Sequence, residues 1–273
     1  MSVKVAFDEQ IFVQQAYGGI SRYIVRLAAG LSETVGVRIF APVHINVYLS
    51  DLPPSIVVGR RFPQWRGVGR IGGVINRALK PALLKAYAPD IVHETYYSAR
   101  TPPAPRARTV LTVYDMIHEK FPGSFAAGDD TAKRKKVAVE RADHICCISQ
   151  STRQDLIAFY PSAAAKSTVT LLGFDPTIAV PDGEPSMNER PYLMFVGQRA
   201  GYKNFAGLLA AYAASPTLRS DFDLVAVGGG AFTPYEVEAV HYHGLDGRVR
   251  QVDADDEALH RWYRGASVFV YPS

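Results

Sequence analysis

Two stretches decide the fold that this sequence predicts: TVLTVYDMIHE at Thr109–Glu119 and YLMFVGQRAGYKNF at Tyr192–Phe205. Each begins with a run of apolar residues that is typical of a buried strand in a parallel sheet. Each then passes directly into charged and polar residues. Because open α/β sheets bind ligands outside the carboxyl ends of their strands, each stretch predicts a strand followed by a binding loop.

Outward from these stretches, short apolar runs alternate with segments of helical periodicity along the whole chain. The first run is Val3–Phe7, and the first helical pattern is Ile20–Leu31. Four prolines between positions 176 and 191 interrupt the alternation, as is typical of a linker. The sequence therefore predicts an α/β protein with two Rossmann-like, doubly wound parallel-sheet domains, residues 1–180 and residues 181–273. We expect the second domain to be incomplete, because the chain stops just after an apolar run.

Composition excludes several classes of protein. The chain has 273 residues, of which 48% are hydrophobic and 21% charged, which argues against disorder, a fibrous repeat or a coiled coil. The two cysteines, Cys146 and Cys147, are adjacent and are not expected to form a disulfide. Asp8 lies where an export signal would need apolar residues, and no run approaches the ~18 apolar residues of a spanning helix. A cytoplasmic location is therefore expected.

Charge is concentrated in one stretch of the chain. No acidic residue occurs between Asp51 and Asp90, whereas seven lysines and arginines do, and apolar residues recur there at helical spacing from Val68 onward. One interpretation is a helix packed on the sheet with a solvated basic face. A second is docking of residues 60–85 on an anionic membrane surface, peripherally at the inner face of the plasma membrane. A nucleic-acid patch is disfavoured, because no nucleic-acid-binding signature accompanies the charge.

Three loops carry candidate binding or catalytic residues. Gly18 and Gly19 precede a predicted helix whose N-terminus could bind an anion, or they form a simple tight turn. Arg199 and Lys203 follow the strand at Tyr192–Val196, where two cations would suit a diphosphate, or they belong to a solvated basic loop.

In the third loop, Asp115 and His118 follow the strand at Thr109–Val113. They could act as an acid–base pair or hydrogen-bond anchors, or as a capping residue and a loop histidine. The basic run Lys133–Lys136 is interpreted as a solvated helix face, or as a helix face that helps to contact the membrane surface or the acceptor. His241 and His243 lack a third ligand at supporting spacing, so no metal site is predicted.

The order of these segments resembles that of the GT-B glycosyltransferases and is most similar to glycosyltransferase family 4. The resemblance covers nearly the whole chain and is carried by GGI at 18–20, TVYDMIHEKFP from Thr112, ICCISQSTRQDL from Ile145, FVGQRAGYKNF from Phe195, VAVGGG from Val225 and VFVYPS from Val268.

This resemblance implies a retaining enzyme that moves a sugar from a nucleotide-diphosphate sugar to a glycan or lipid-linked saccharide, as in polysaccharide biosynthesis, without cofactor or metal. It implies that Asp115 and His118 lie on the acceptor side, near the reacting carbon. It also implies a set of donor-binding residues: Gly18, Gly19, Gly197, Arg199, Lys203 and Asn204.

The chain departs from the family pattern in two places. Many relatives have histidine where this chain has Tyr114, which weakens the assignment of His118. In the family, a glycine-rich turn and two glutamates follow the segment that resembles VFVYPS, whereas this sequence ends at Ser273. We therefore expect a truncated form. The alternatives are a non-catalytic nucleotide-sugar-binding or regulatory module of GT-B fold, and a GT-B-like epimerase or sugar phosphorylase.

Overall fold

The computed structural model describes residues 2–63, 68–173 and 189–273, and of 68–70 the backbone alone. The chain divides into two compact units. The first comprises Met1–Pro122 and Ala126–Gly173, and the second Gly123–Phe125 and Phe174–Ser273. The domain boundary predicted at 180 and most of the proline-rich linker lie outside the described residues.

The first unit alternates strands and helices. Its strands are β1 (Lys4–Phe7), β2 (Gly36–His44), β3 (Val57–Arg61), β4 (Ile91–Glu94), β5 (Arg108–Val113), β6 (His144–Cys147) and β7 (Ser167–Val169). Its helices are α1 (Gln10–Gln14), α2 (Gly19–Ser32), α3 (Val68–Tyr87), α4 (Ile117–Lys120), α5 (Thr131–Arg141) and α6 (Gln150–Phe159).

The seven strands of this unit form one parallel sheet in the order β3-β2-β1-β4-β5-β6-β7. Chain order reverses direction between β1 and β4, where Val5 pairs with Ile91 and Phe7 with His93. This is a doubly wound sheet, as the sequence predicts, and its switch point lies between β1 and β4. Buried side chains such as Phe7, Ile39 and Leu111 form the cores of this unit.

The second unit repeats the pattern on a smaller scale. Its strands are β8 (Tyr192–Val196), β9 (Asp223–Val227), β10 (Val249–Val252) and β11 (Val268–Phe269), in the parallel order β10-β9-β8-β11. Its helices are α7 (Phe205–Ala214), α8 (Pro216–Asp221), α9 (Pro234–Tyr242) and α10 (Asp256–Gly265). Tyr192, Met194 and Phe195 are almost fully buried, which confirms the predicted strand.

The elements that the sequence does not predict are short helices. The helix α1 lies in a predicted loop, and its Ile11 and Phe12 join the core beside β2. Local periodicity cannot reveal so short a helix, because five residues make little more than one turn. Among the described residues, no helix is both long enough and apolar enough to cross a membrane.

Candidate functional site

A glycine loop shapes the carboxyl edge of the small sheet in the second unit. Gly228, Gly229 and Gly230 follow β9 with φ angles of 78°, 76° and 74°, a region that favours glycine. A Cβ at Gly229 would lie 2.6 Å from the carbonyl oxygen of Gly197, which itself follows β8. Two loops from neighbouring strands thus approach each other closely enough to require glycine.

Arg199 holds this glycine loop in place. Its guanidinium donates to the carbonyl oxygens of Gly228 (2.8 Å), Gly230 (3.0 Å) and Ala231 (3.0 Å). Its Nε donates to Glu236 Oε1 at 2.7 Å, and its Nη2 to Glu236 Oε2 at 3.3 Å. The Arg199 side chain is 3% exposed, so in this structure it acts on the shape of the loop.

Glu236 completes the arrangement from the first turn of α9. Its carboxylate accepts from the backbone N–H of Thr233 at 2.7 Å, and the Thr233 hydroxyl accepts from the N–H of Glu236, which forms a capping box. Burial raises the pKa of Glu236, but hydrogen bonds from Arg199 and Thr233 outweigh burial and leave that pKa below its usual range. The carboxylate therefore stays charged and pairs with the buried guanidinium.

Lys203 and Asn204 lie at the other end of the same loop and face the segment after β11. The Lys203 Nζ donates to the hydroxyl of Tyr271 at 2.6 Å and lies 4.5 Å from the centre of that ring. Asn204 has a left-handed backbone (φ 54°) at the N-terminus of α7 and donates to the carbonyl of Pro272 at 3.4 Å. An ammonium group has three N–H donors, so Lys203 keeps two donors beyond its bond to Tyr271.

In the first unit, Gly18 and Gly19 begin the long helix α2. The N–H of Ser21 in its first turn donates to Gln15 Oε1 at 3.3 Å, and a Cβ at Gly18 would lie 2.2 Å from that oxygen. Nothing lies within 4 Å of a Cβ built at Gly19. Gly18 is therefore required for the close approach of Gln15, while Gly19 borders open space.

Asp115 and His118 follow β5, as the sequence predicts. Asp115 Oδ1 accepts from the N–H of Ile117 at 3.0 Å, and its side chain is 42% exposed. His118 lies in α4, with Nε2 3.9 Å from Asp129 Oδ2. Gly18 lies at the start of α2 against Gln15, whereas Asp115 follows β5 and bonds to Ile117. Different elements therefore position these two residues.

Lys135, in the helix α5, supports the loop that carries Asp115. Its Nζ donates to the carbonyl of Asp115 and to Glu119 Oε2, both at 2.8 Å, and its side chain is fully buried. The interpretation of Lys133–Lys136 as a solvated face is therefore wrong for Lys135. Its position was predictable in part, because residues 131, 135, 138 and 139 have helical spacing and form the buried face of α5.

A buried charge cluster that no local sequence pattern predicts lies at the switch point. Asp8 follows β1 and accepts from the Thr95 hydroxyl at 2.6 Å. Glu94 ends β4, is 1% exposed, and accepts from Arg141 at 2.7 Å through both oxygens. Burial, together with the charge of Asp8, raises the pKa of Glu94 to about 7 despite Arg141. Lys80 pairs with Glu9 at 2.7 Å.

Within residues 2–63, 68–173 and 189–273, no group of three or more His, Cys, Asp or Glu side chains is arranged to hold a metal ion. His241 Nδ1 lies 3.1 Å from Asp246 Oδ2 on the surface, as a single exposed pair.

Comparison with known proteins gives one family and many structures of similar fold. Residues 17–178 match the model of Glycosyltransferase Family 4. Among solved structures, WaaG, a glycosyltransferase involved in lipopolysaccharide biosynthesis, is 16% identical with a TM-score of 0.67 and covers 98% of this chain and 75% of its own. The lipopolysaccharide outer core galactosyltransferase WaaB is 15% identical, with a TM-score of 0.60 and coverage of 98% and 73%.

A plant enzyme shares the fold as well. The catalytic domain of starch synthase IV from Arabidopsis thaliana, solved with ADP and acarbose, is 14% identical with a TM-score of 0.57 and covers 100% of this chain and 78% of its own. A search of curated proteins gives no significant match.

Proposed function

This chain belongs to Glycosyltransferase Family 4 and is a glycosyltransferase of the GT-B type, and from that premise we propose its reaction. We propose that it transfers a sugar from a nucleotide-diphosphate sugar to a glycan or a lipid-linked saccharide, with retention of anomeric configuration.

The position of Lys203 is the observation that carries the donor part of this proposal. As the bond between sugar and phosphate breaks, negative charge grows on the diphosphate and must be stabilised by donors already in place. Lys203 lies at the carboxyl edge of a parallel sheet, in the loop that begins at Gly197 and ends at Asn204. In the described part of the chain its ammonium makes one hydrogen bond, to Tyr271, which leaves two N–H donors for a ligand. A preorganised donor of this kind typically lowers the barrier by ~2.7–4 kcal/mol.

Arg199 contributes to the same donor site by a different route from that of Lys203. Its guanidinium donates to Glu236 and to three carbonyl oxygens, so direct contact with the diphosphate would require some of these bonds to be exchanged. We propose that it fixes the glycine loop at 228–230, whose backbone borders the donor. Direct binding of the diphosphate by Arg199, which the sequence predicts, remains a prediction.

On the acceptor side, we assign the exposed carboxylate of Asp115 to the hydroxyl group that receives the sugar. A carboxylate accepts hydrogen bonds from hydroxyl groups and stabilises positive charge on a sugar ring. His118, one turn further on, completes the proposed acceptor-side set. Lys135 supports this loop through its hydrogen bond to the Asp115 carbonyl oxygen. Gly18 and Gly19, at the start of α2, stay with the proposed donor-binding residues.

Titration calorimetry of the full chain with UDP, GDP and their sugars tests the donor site. We expect Lys203→Ala to weaken binding of the diphosphate by tenfold or more, about 1.4 kcal/mol, while Lys133→Ala, which removes an exposed lysine of α5, has no effect. Equal affinities of wild-type chain and Lys203→Ala would contradict the role of Lys203.

Product analysis separates the proposal from its alternatives. Transfer of a labelled sugar to a saccharide, with an unchanged anomeric centre by nuclear magnetic resonance, is the expected result. Nucleotide-sugar binding without turnover would indicate a non-catalytic module. Conversion of the nucleotide sugar to its epimer, or phosphorolysis of a glycan, would indicate the other two enzyme classes.

The exposed face of α3 favours docking of the enzyme at a membrane surface. The helix α3 exposes Ile71, Val74 and Leu79, which are 52%, 63% and 46% accessible, and the surrounding stretch from 52 to 89 contains no acid. Apolar side chains flanked by cations match the interface of a bilayer that contains anionic lipid. We therefore propose that α3 docks the enzyme peripherally at the inner face of the plasma membrane.

A further inference from the structure

A cavity of about 610 Å³ opens at the switch point of the seven-stranded sheet. Residues after β1, after β4 and at the start of α5 line it, together with one face of α3. In doubly wound sheets the crevice at the switch point is the place where ligands bind, because the connections leave β1 and β4 toward opposite faces. The volume falls within the ~300–1,000 Å³ of small-molecule sites.

The floor of this cavity is a set of carboxylates held in fixed positions. Asp8 is 6% exposed and accepts from the backbone N–H and the hydroxyl of Thr95, at 3.0 Å and 2.6 Å. Glu9 is paired with Lys80 and Glu94 with Arg141, each at 2.7 Å. Each carboxylate has further lone pairs, which can accept hydrogen bonds from a ligand's hydroxyl groups.

The rim of the cavity carries cations. Arg77, in α3, and Arg100, after β4, are both exposed and both line the cavity. In the described ranges of the chain, neither guanidinium has a carboxylate or carbonyl partner, whereas Arg134, which also lines the cavity, is paired with Asp130 at 2.8 Å. A guanidinium group offers a planar fork of N–H donors whose geometry suits a phosphate or carboxylate, so each of these two residues can hold such an anion.

The lining argues against a nucleotide in this cavity. Tyr97 is the one aromatic residue that lines it among the described residues, and this side chain is only 3% exposed. A nucleobase would therefore find little aromatic face on which to stack. Hydroxyl-accepting carboxylates below and cations above fit a sugar with an acidic substituent better.

We propose that this cavity binds a saccharide that carries a phosphate or carboxylate group, with Arg77 and Arg100 holding the anion and the carboxylates at the floor accepting hydroxyl groups. The inference rests on the proposed function, because it gives the chemical class of the acceptor. It extends that function from Asp115 to a pocket formed by β1, β4, α3 and α5.

Ligand-observed nuclear magnetic resonance on the full chain tests the proposal without any donor present. The probes are glucose 6-phosphate and glucuronic acid, with glucose and inorganic phosphate as references. We expect both acidic sugars to bind more tightly than either reference. Arg77→Gln and Arg100→Gln should each weaken their binding by about tenfold, while Arg106→Gln, which removes an exposed arginine outside the cavity, should not.

A second variant blocks the cavity without changing its charge. Gly73 lines the cavity from α3, and nothing lies within 4 Å of a Cβ there, so the side chain of Gly73→Leu can enter the space without a backbone clash. We expect it to abolish binding of the acidic sugars. Gly30→Leu is the matched control, because Gly30 is an exposed helical glycine of α2 that is equally unobstructed.

The outcomes separate this inference from the proposed function. Binding of the acidic sugars that depends on Arg77 and is blocked in Gly73→Leu supports the pocket, even if no sugar transfer is ever found. Absence of binding, equal binding of glucose or inorganic phosphate, or unchanged binding in Gly73→Leu would overturn the inference. Sugar transfer to a neutral acceptor at an undiminished rate in Gly73→Leu would leave the proposed function intact and remove this cavity from it.

Discussion

At the scale of single residues, the two loop cations of the second unit have different surroundings although four positions separate them. Arg199 is buried and bonded to Glu236, whereas Lys203 lies at the surface beside Tyr271. A buried guanidinium needs partners for its donors, because an unpaired buried charge is costly. The Glu236 carboxylate and the carbonyl oxygens of the glycine loop accept the hydrogen bonds of the Arg199 guanidinium.

Replacing Arg199 should therefore destabilise the second unit. We expect Arg199→Ala to lower the free energy of unfolding by ~3–5 kcal/mol, because Glu236 and three carbonyl groups lose their partner. Arg199→Lys should recover only part of this loss, because an ammonium lacks the planar fork. Urea denaturation measures the effect. Arg219→Ala, at an exposed site in α8, is the control, and equal stability of the two alanine variants would refute the role.

Lys135 makes a similar test possible in the first unit. Lys135→Met leaves Glu119 without its cation in a buried position, so we expect a loss on the order of 3 kcal/mol and a lower Tm. The next residue supplies the control, because Lys136 is 59% exposed on the same helix. If Lys135→Met and Lys136→Met melt at the same temperature, Lys135 does not support the loop of Asp115.

At the scale of elements, α3 has two faces with different surroundings. Asn76 and Leu84 are buried against the sheet, and Asn76 exchanges two hydrogen bonds with the backbone of Val43 at 2.8 and 2.9 Å. The opposite face presents Val74 and Leu79 to solvent. The interpretation of this segment as a helix packed on the sheet and its interpretation as a membrane-docking segment are thus compatible, because they concern different faces.

Vesicle flotation tests the exposed face of α3. We expect Val74→Glu and Leu79→Glu each to reduce flotation with vesicles that contain anionic lipid, because each variant replaces apolar contact with a charge of the same sign as the lipid. Val237→Glu, at an exposed valine of α9, should float like the wild-type chain. Equal flotation with neutral and anionic vesicles would argue against the electrostatic part of the proposal.

At the scale of the whole molecule, each unit has hydrophobic clusters of its own, and the first also has a buried charge cluster that joins four elements. Asp8, Lys80, Glu94 and Arg141 come from the end of β1, from α3, from β4 and from α5. Burial raises the pKa of Glu94 from its ordinary value of 4.5 to about 7. Between these values the folded state keeps the proton and the unfolded state loses it.

The stability of the chain should consequently fall as the pH rises through this interval. Because burial favours the protonated form of Glu94, its protonation stabilises the folded state fully below about pH 4.5, and this stability is lost as the pH rises toward the folded pKa of about 7. We expect Glu94→Gln to remove up to ~3 kcal/mol of this pH dependence, measured as unfolding free energies from about pH 5 to about pH 8. Glu33→Gln, at an exposed site, should leave the slope unchanged, and an unchanged slope in Glu94→Gln would contradict the assignment.

Much of the fold follows from local sequence alone. Apolar runs and left-handed turns are properties of neighbouring residues, so local patterns predict them. Examples are the buried strands at Thr109–Val113 and Tyr192–Val196, the helix after Gly19 and the glycine turn at 228–230. The polar loops after the strands follow too, since each lies directly beyond an apolar run.

Strand order and the partners of charged residues depend on the tertiary structure. Asp8 and Glu94 are 86 positions apart and meet because β1 and β4 are neighbours, which no local pattern specifies. Likewise, Arg199 finds Glu236 on another helix, and the burial of Lys135 depends on what packs over α5. The sequence by itself determined where the strands, the longer helices and the polar loops lie, whereas long-range packing decided which charges are paired inside and which remain for a ligand.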